Sequence, residues 1–213
     1  MKKRNFLLTG LCLFATTVFA QNYRPATPEQ QRELIRNITA ASERTRTLRC
    51  DFVQKKTITI LADELISEGR LSFKQADKLN WEYIRPYQYR FTMNGDRIMI
   101  SSGTNNNIID VNGNKMFKEI SNIIISGING AGIFDHNKFT ASFNVGTHDY
   151  QIVLTPRQRD LRQMFTTITL HFDKTDFSVN TVEIREASGD STLITMRNKQ
   201  INIPLNDEIF AIH

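Results

Sequence analysis

The sequence predicts a mainly β chain with a small helical complement, folded as an antiparallel meander that curls into a large sheet or barrel. Three observations predict it. From Asp51 onward apolar residues recur with a period of two, which places them on one face of successive strands. Asn94-Gly95 and Asn112-Gly113 tolerate positive φ and so make tight hairpin turns. Only the stretch before Asp51 and a short mid-chain segment carry a helical pattern.

That first helix starts at a Thr27 cap, with Pro28 at the first helical position and Gln30 three residues beyond the threonine, a capping-box arrangement. Leu34, Ile38, Ala41, Thr45 and Leu48 then recur at helical spacing as one narrow apolar stripe, which must pack on something. Strands follow where Leu71 and Phe73, then Leu79, Trp81 and Tyr83, then Tyr87, Tyr89, Phe91 and Met93 alternate with polar residues. Asn94-Gly95 turns the chain into Arg97–Ser101, and Asn112-Gly113 joins Ile108–Val111 to Lys115–Lys118. Phe139 to Val145 and Tyr150 to Leu154 repeat the alternation, and Thr166–Phe172, Val179–Glu186 and Thr192–Lys199 read as further strands, with Gly189-Asp190 turning between the last two. A final short strand is expected near Ile209. About ten to twelve short strands joined by tight turns argue for a meander.

Ser121 to Asp135 breaks the rhythm. It carries Ile123, Ile124, Ile125, Ile128, Ile133 and Phe134, punctuated by Gly127, Gly130 and Gly132. The expectation is a short helix over Asn122–Ile128 and a mobile loop, serving either as a movable lid or as a fixed core plug.

The N-terminus reads as a cleavable signal peptide. Lys2, Lys3 and Arg4 precede an uncharged apolar run from Phe6 to Phe19, and Val18-Phe19-Ala20 offers the small-residue pattern that signal peptidase cuts. The run is short for a hydrocarbon core of roughly 30 Å, which takes about 20 apolar residues. Residues 1–20 are therefore expected to be removed, leaving 21–213 as a single soluble domain outside the cytoplasm. Cys12 is a poor acylation site, because Leu11 stands where a small residue is needed. Once the leader is gone Cys50 is alone, so a core rather than a disulfide must hold the domain. The leader also takes three cations with it, lowering the formal charge from +5 to about +2. That removes the electrostatic footprint of a nucleic-acid binder.

No catalytic or metal chemistry is legible. His136, His148, His171 and His213 are scattered with no pair at ligand spacing, and no nucleophile elbow, phosphate loop or zinc helix occurs. Asp173 and Asp176 flank a turn and Glu64 and Glu68 lie on a sheet; all four are expected to be solvated. Cys50 reads as a buried small hydrophobe. Neither a cofactor nor an enzyme activity is expected. What remains is a one-faced sheet with more apolar surface than two short helices fill. It forms either an ordinary packed core or a cavity suited to an acyl chain.

Several local strings then fall into a familiar order. Phe52-Val53-Gln54-Lys55, Ser67-Glu68-Gly69-Arg70-Leu71, Leu79-Asn80-Trp81-Glu82 with Pro86, the Asn94-Gly95 turn and Leu154-Thr155-Pro156 together resemble the LolA family of periplasmic lipoprotein carriers. The resemblance implies an incomplete antiparallel β-barrel, a half-barrel, with a covering N-terminal helix and a short mid-chain lid helix. It implies that acyl chains of lipoproteins enter between sheet and lid, loaded by an inner-membrane transporter and released to an outer-membrane acceptor. The carrier is expected to be a monomer, to consume no cofactor and to bind no nucleic acid. The residues expected to line the lipid site are Leu71, Phe73, Leu79, Trp81, Tyr83, Tyr89, Phe91, Met93, Ile98, Ile100, Ile124, Ile128 and Phe143. In the family a basic residue, an arginine and a proline commonly follow the Phe73 strand, the arginine controlling the closed lid. Here the string is Lys74-Gln75-Ala76, so that role does not transfer. Lys74 is a poor substitute, because neighbouring strand residues point to opposite faces. A second reading is a lipid-binding sensor domain of the cell envelope on the same fold, although sensors usually carry a further domain or anchor. A third, an enzyme reusing the pocket, has no residue constellation behind it.

Overall fold

The computed structural model describes residues 23–103, 105–110 and 135–213. After a short extended piece, β1 (Arg24–Pro25), helix α1 spans Pro28–Arg44. The Gln30 amide N–H donates to Thr27 Oγ1 over 3.3 Å, and the Thr27 amide donates to Gln30 Oε1 over 3.1 Å. This reciprocal box satisfies two otherwise orphaned donors, a contribution of about 1 kcal/mol. The helix stops at Thr45, which turns extended, so the expected stripe ends at Ala41 and Leu48 belongs to a strand instead. Its i+7 distance from Ala41 also fits the two-residue period of Leu48, Cys50 and Phe52, and packing chose the latter.

The strands are β2 (Thr47–Ile58), β3 (Asp63–Lys74), β4 (Lys78–Arg85), β5 (Tyr89–Asn94), β6 (Arg97–Ser102), β7 (Asn105–Asp110), β8 (Phe139–Val145), β9 (Asp149–Pro156), β10 (Phe165–Asp173), β11 (Val179–Glu186) and β12 (Ser191–Ile201). Among the described residues they form one 12-stranded sheet with β1, in the order β1-β8-β9-β10-β11-β12-β2-β3-β4-β5-β6-β7, with every neighbouring pair antiparallel. β1 and β7 are the free ends of that order, so the sheet is not closed into a barrel. The pairing of β12 with β2 joins the two halves of the chain.

The Asn94-Gly95 hairpin forms as expected, with Gly95 at φ +60° where a side chain is rarely tolerated. β4 runs on to Arg85, so residues 86–88 make the connection and β5 begins only at Tyr89; the expected inclusion of Tyr87 is corrected, and its ring stands exposed. A short helix, Arg159–Met164, precedes β10 and had no counterpart in the alternation pattern. The strand expected near Ile209 is instead a 3₁₀ turn, Asp207–Phe210. The expected leader with Cys12, the turn expected at Asn112-Gly113, the helix expected over residues 122–128, and with it Ile124 and Ile128, lie outside the described residues.

Apolar side chains fill one face in two clusters. Leu34 and Ile38 of α1 pack there with Phe139, Ile152, Leu154, Leu161, Ile168, Leu170, Phe172 and Val179. The second cluster is built by β2 to β6 and β12 around Leu48, Cys50, Phe52, Leu71, Phe73, Leu79, Met93, Ile98 and Ile194. Val182 and Met196 touch both, so the apolar face is continuous.

The other face is polar, and the C-terminal segment crosses it. Buried Asn80 donates through Nδ2 to the Ile209 carbonyl over 2.8 Å, and Asn94 donates to the Phe210 carbonyl over 3.1 Å. Lys74 and Lys78 each place Nζ 2.9 Å from Asp207 Oδ1, while the Phe210 ring is fully buried. Lys74 therefore lies on the face opposite Phe73, as the alternation required.

Candidate apolar binding face

The pairing registers stack the second cluster into rows across the sheet. Leu48, Phe73, Leu79, Met93, Ile98 and Ile109 form one row from β2 to β7. Cys50, Leu71, Trp81, Phe91, Ile100 and Asn107 form the next, and Phe52, Gly69, Tyr83 and Tyr89 begin the third. One step further along β2 and β3 the pair is Gln54 and Ser67. The face thus grades from wholly aliphatic at one end of the strands to amphipathic at the other.

Ten of the expected lipid-site residues lie in these rows: Leu71, Phe73, Leu79, Trp81, Tyr83, Tyr89, Phe91, Met93, Ile98 and Ile100. Phe143 is on the same face but packs against the first cluster, on the side where α1 lies. Leu48, Cys50 and Phe52 are the residues that sequence reasoning missed. Their signal was the two-residue alternation of Leu48, Cys50 and Phe52, which was obscured because Leu48 also fits the helical stripe.

Aromatic packing organises the third row. The Phe52 ring sits 5.1 Å from Trp81 and 5.2 Å from Tyr83, the latter edge-on, and Tyr83 lies 5.9 Å from Tyr89. Gly69, opposite Phe52, leaves the space for this ring: a Cβ there would come within 2.5 Å of Phe52 Cζ and 2.1 Å of the Glu82 carbonyl oxygen. The Tyr83 hydroxyl donates to Gln54 Oε1 over 2.8 Å. Burial pushes the Tyr83 phenol up to about 12, helped by Tyr89 and offset by Trp81 and Gln54. Burial likewise lifts the Cys50 thiol to about 12, so it stays neutral and behaves as a small hydrophobe.

A cavity of about 350 Å³ opens where the C-terminal half of α1 meets the sheet, lined by Ile38, Ala41, Leu48, Phe172, Phe177 and Met196 among others. Its volume falls in the range of small-molecule sites, roughly 300–1,000 Å³. It borders both clusters, since Ile38 and Phe172 belong to the first and Leu48 to the second.

A second cluster was invisible in the sequence. His171, on the polar face, is buried with Nδ1 2.8 Å from Asp149 Oδ2 and Nε2 3.2 Å from Glu183 Oε1. The Tyr23 hydroxyl donates to Asp149 Oδ2 over 2.9 Å and lies 3.1 Å from His171 Nδ1. Burial, then Asp149, raises the Tyr23 phenol. The cluster ties the start of the described chain to β9, β10 and β11, and among the described residues no group of histidine, cysteine and carboxylate side chains is arranged to hold a metal ion. No helix among the described residues is long and apolar enough to cross a membrane.

Comparison with known proteins follows the geometry. No curated protein sequence matches the chain. Among solved structures, the Pseudomonas aeruginosa MucA/MucB complex is similar at 10% identity and a TM-score of 0.51, over 84% of this chain and 60% of that one. An uncharacterized conserved protein from Thermus thermophilus is similar at 8% identity and a TM-score of 0.51, over 86% of this chain and 95% of that one. A LolA-superfamily protein from Nitrosomonas europaea aligns at 10% identity and a TM-score of 0.49, over 85% and 97%. At such identities the structural likeness concerns the fold. The family model described as outer membrane lipoprotein carrier protein LolA matches residues 43–213, the stretch that carries β2 to β12, all of the second apolar cluster and the strand residues of the first, and the chain belongs to that family.

Proposed function

We propose that the protein is a periplasmic carrier that binds the acyl chains of lipoproteins on its apolar face and shuttles them from the inner to the outer membrane. The observation that carries this reading is the second apolar cluster, a continuous set of aliphatic and aromatic rows to which no residue of a described helix belongs. Leu71, Phe73, Leu79, Trp81, Tyr83, Tyr89, Phe91, Met93, Ile98 and Ile100 are its proposed contacts, with Phe143 beneath α1 and Ile124 and Ile128 contributed from the segment after β7. Residues 1–20 act as the cleaved leader, and 21–213 work as one domain in the curled, half-barrel form of the fold. An inner-membrane lipoprotein-releasing transporter loads the carrier and an outer-membrane acceptor unloads it.

The energetics suit a shuttle. Each buried methylene is worth about 0.8 kcal/mol, so one acyl chain of ~14 methylenes gains roughly 11 kcal/mol against water. The transfer that matters runs between two apolar environments, so most of that gain cancels. Small differences in packing then set its direction.

Mass spectrometry of lipids extracted from natively purified protein tests the reading. Co-purifying acylated species, their loss on replacing Phe91 with a bulky polar residue, and protection of an acylated peptide from aggregation are expected. Protein that carries no lipid and protects no such peptide overturns it. A second reading is a lipid-binding envelope sensor on the same fold; MucB, which is similar in fold, is solved in complex with another protein, MucA. Stable association with a membrane regulator in place of lipid transfer is the outcome that favours it.

A further inference from the structure

The Trp81 indole N–H is fully buried, yet has no hydrogen-bond partner among the described residues. Such donors are rare in native proteins, because burial without a partner forfeits the hydrogen bond made in water. Trp81 sits in the second row of the apolar face, between Leu71 and Phe91 and against the Phe52 ring. The indole lies close enough to the Tyr83 hydroxyl to help hold that phenol down, yet the pair does not reach hydrogen-bond geometry, and the hydroxyl proton is already given to Gln54. The unpartnered donor therefore lies where the aliphatic rows give way to Tyr83, Tyr89 and Gln54.

We infer that Trp81 is a carbonyl anchor: its Nε1–H donates to the acyl carbonyl of a bound lipid and fixes the direction in which the chain lies. The inference rests on the carrier reading and names the chemistry its site recognises. With the carbonyl at Trp81, the hydrocarbon runs over Leu79, Phe73 and Met93 toward the aliphatic end. The polar head then leaves past Tyr83, toward the β2–β3 hairpin. The donor is neutral, and the cation further along the same face of β2, Lys56, is paired with Glu186 over 3.0 Å. An uncharged ester or amide carbonyl fits such a site better than a free carboxylate, which needs a cation or several donors.

The chain contains one tryptophan, so its indole N–H gives a single, unambiguous resonance. Full-length mature protein is titrated with monopalmitoylglycerol, with hexadecyl glyceryl ether of matched length, and with palmitate. The expected result is a downfield shift of the indole proton with the ester but not with the ether. Affinity should favour the ester by about five- to ten-fold, the scale of one neutral hydrogen bond. Trp81→Phe keeps the aromatic packing and removes the donor; it should bring ester and ether to equal affinity. If that variant does not fold, the indole shift in the wild-type protein decides alone. Equal affinities and equal shifts for ester and ether overturn the anchor while leaving the carrier reading intact. A preference for palmitate overturns the assignment to an uncharged carbonyl. Failure to bind any of the three overturns both.

Discussion

The ring of Phe52 lies over Gly69, and the two residues occupy opposed positions on β2 and β3 with no room between them for a methyl group. The glycine is what lets Phe52 reach both Trp81 and Tyr83 at ring-centroid distances near 5 Å. Gly69→Ala is expected to destabilise by about 1–3 kcal/mol through overpacking. Backbone rather than a flexible side-chain end stands on one side of the added carbon, which favours the upper part of that range. Urea unfolding followed by tryptophan fluorescence measures both the loss of stability and the displacement of Trp81. Phe52→Ala, the opposite change, is expected to cost about 3–5 kcal/mol.

Tyr23 is held by its hydroxyl to Asp149 and His171. Tyr23→Phe should cost about 0.5–1.5 kcal/mol, the net worth of a neutral hydrogen bond. Limited proteolysis should then cut the segment before α1 faster while the sheet stays protected. Asp149→Asn should cost more, because it removes the carboxylate that both Tyr23 and His171 face.

The alternation of apolar residues made most strands legible, since a two-residue period has only one structural meaning once one face is buried. Phe139–Val145, Val179–Glu186 and the Asn94-Gly95 hairpin formed where the pattern placed them. Leu48 was misassigned because seven residues from Ala41 is a spacing that helix and strand both permit at a boundary. Ile209 was misassigned because its strap is held by Asn80 and Asn94 side chains reaching backbone carbonyls, a tertiary contact with no periodicity. The apolar rows were largely legible for the same reason the strands were. The His171 cluster was not, because its members meet only through the registers of β9, β10 and β11.

Stability should depend on pH in the alkaline range. Burial raises Cys50 from 9.0 to about 12 in the folded chain. The folded state therefore keeps a proton that the unfolded chain loses, and the contribution is intact below about pH 9 and falls as the pH rises toward 12. The urea midpoint should be flat from neutral pH up to that window and decline within it. Cys50→Ala should be less stable throughout but show a shallower decline. In protein made without residues 1–20, and so without Cys12, a thiol reagent should label Cys50 only on unfolding.

The C-terminal strap is expected to loosen in acid. Hydrogen bonds from Lys78, then Lys74, hold the Asp207 carboxyl below its ordinary range. Its contribution is present above the usual carboxylate pKa and disappears as the pH falls through the lowered one. Hydrogen exchange of the segment after Asn202 should speed up in that interval, and Asp207→Asn should show the faster exchange already at neutral pH. Phe210→Ala, which empties a fully buried site, should cost about 3–5 kcal/mol.

The sheet is joined at its middle by β12 against β2, where Ser191 pairs with Thr57 and Ile201 with Leu48. Strands β2 to β7 are linked by short hairpins and can form as soon as they emerge from the ribosome, but they lack the neighbour that covers one of their edges until the last strand exists. Folding of this topology is slow where pairing is non-local, because loop closure costs entropy before contacts repay it. A nascent chain missing its final twenty-odd residues is thus left with an open edge and an unfinished core. The order of the strands acts as a timer: it delays the native state until β12 has been made and can close against β2.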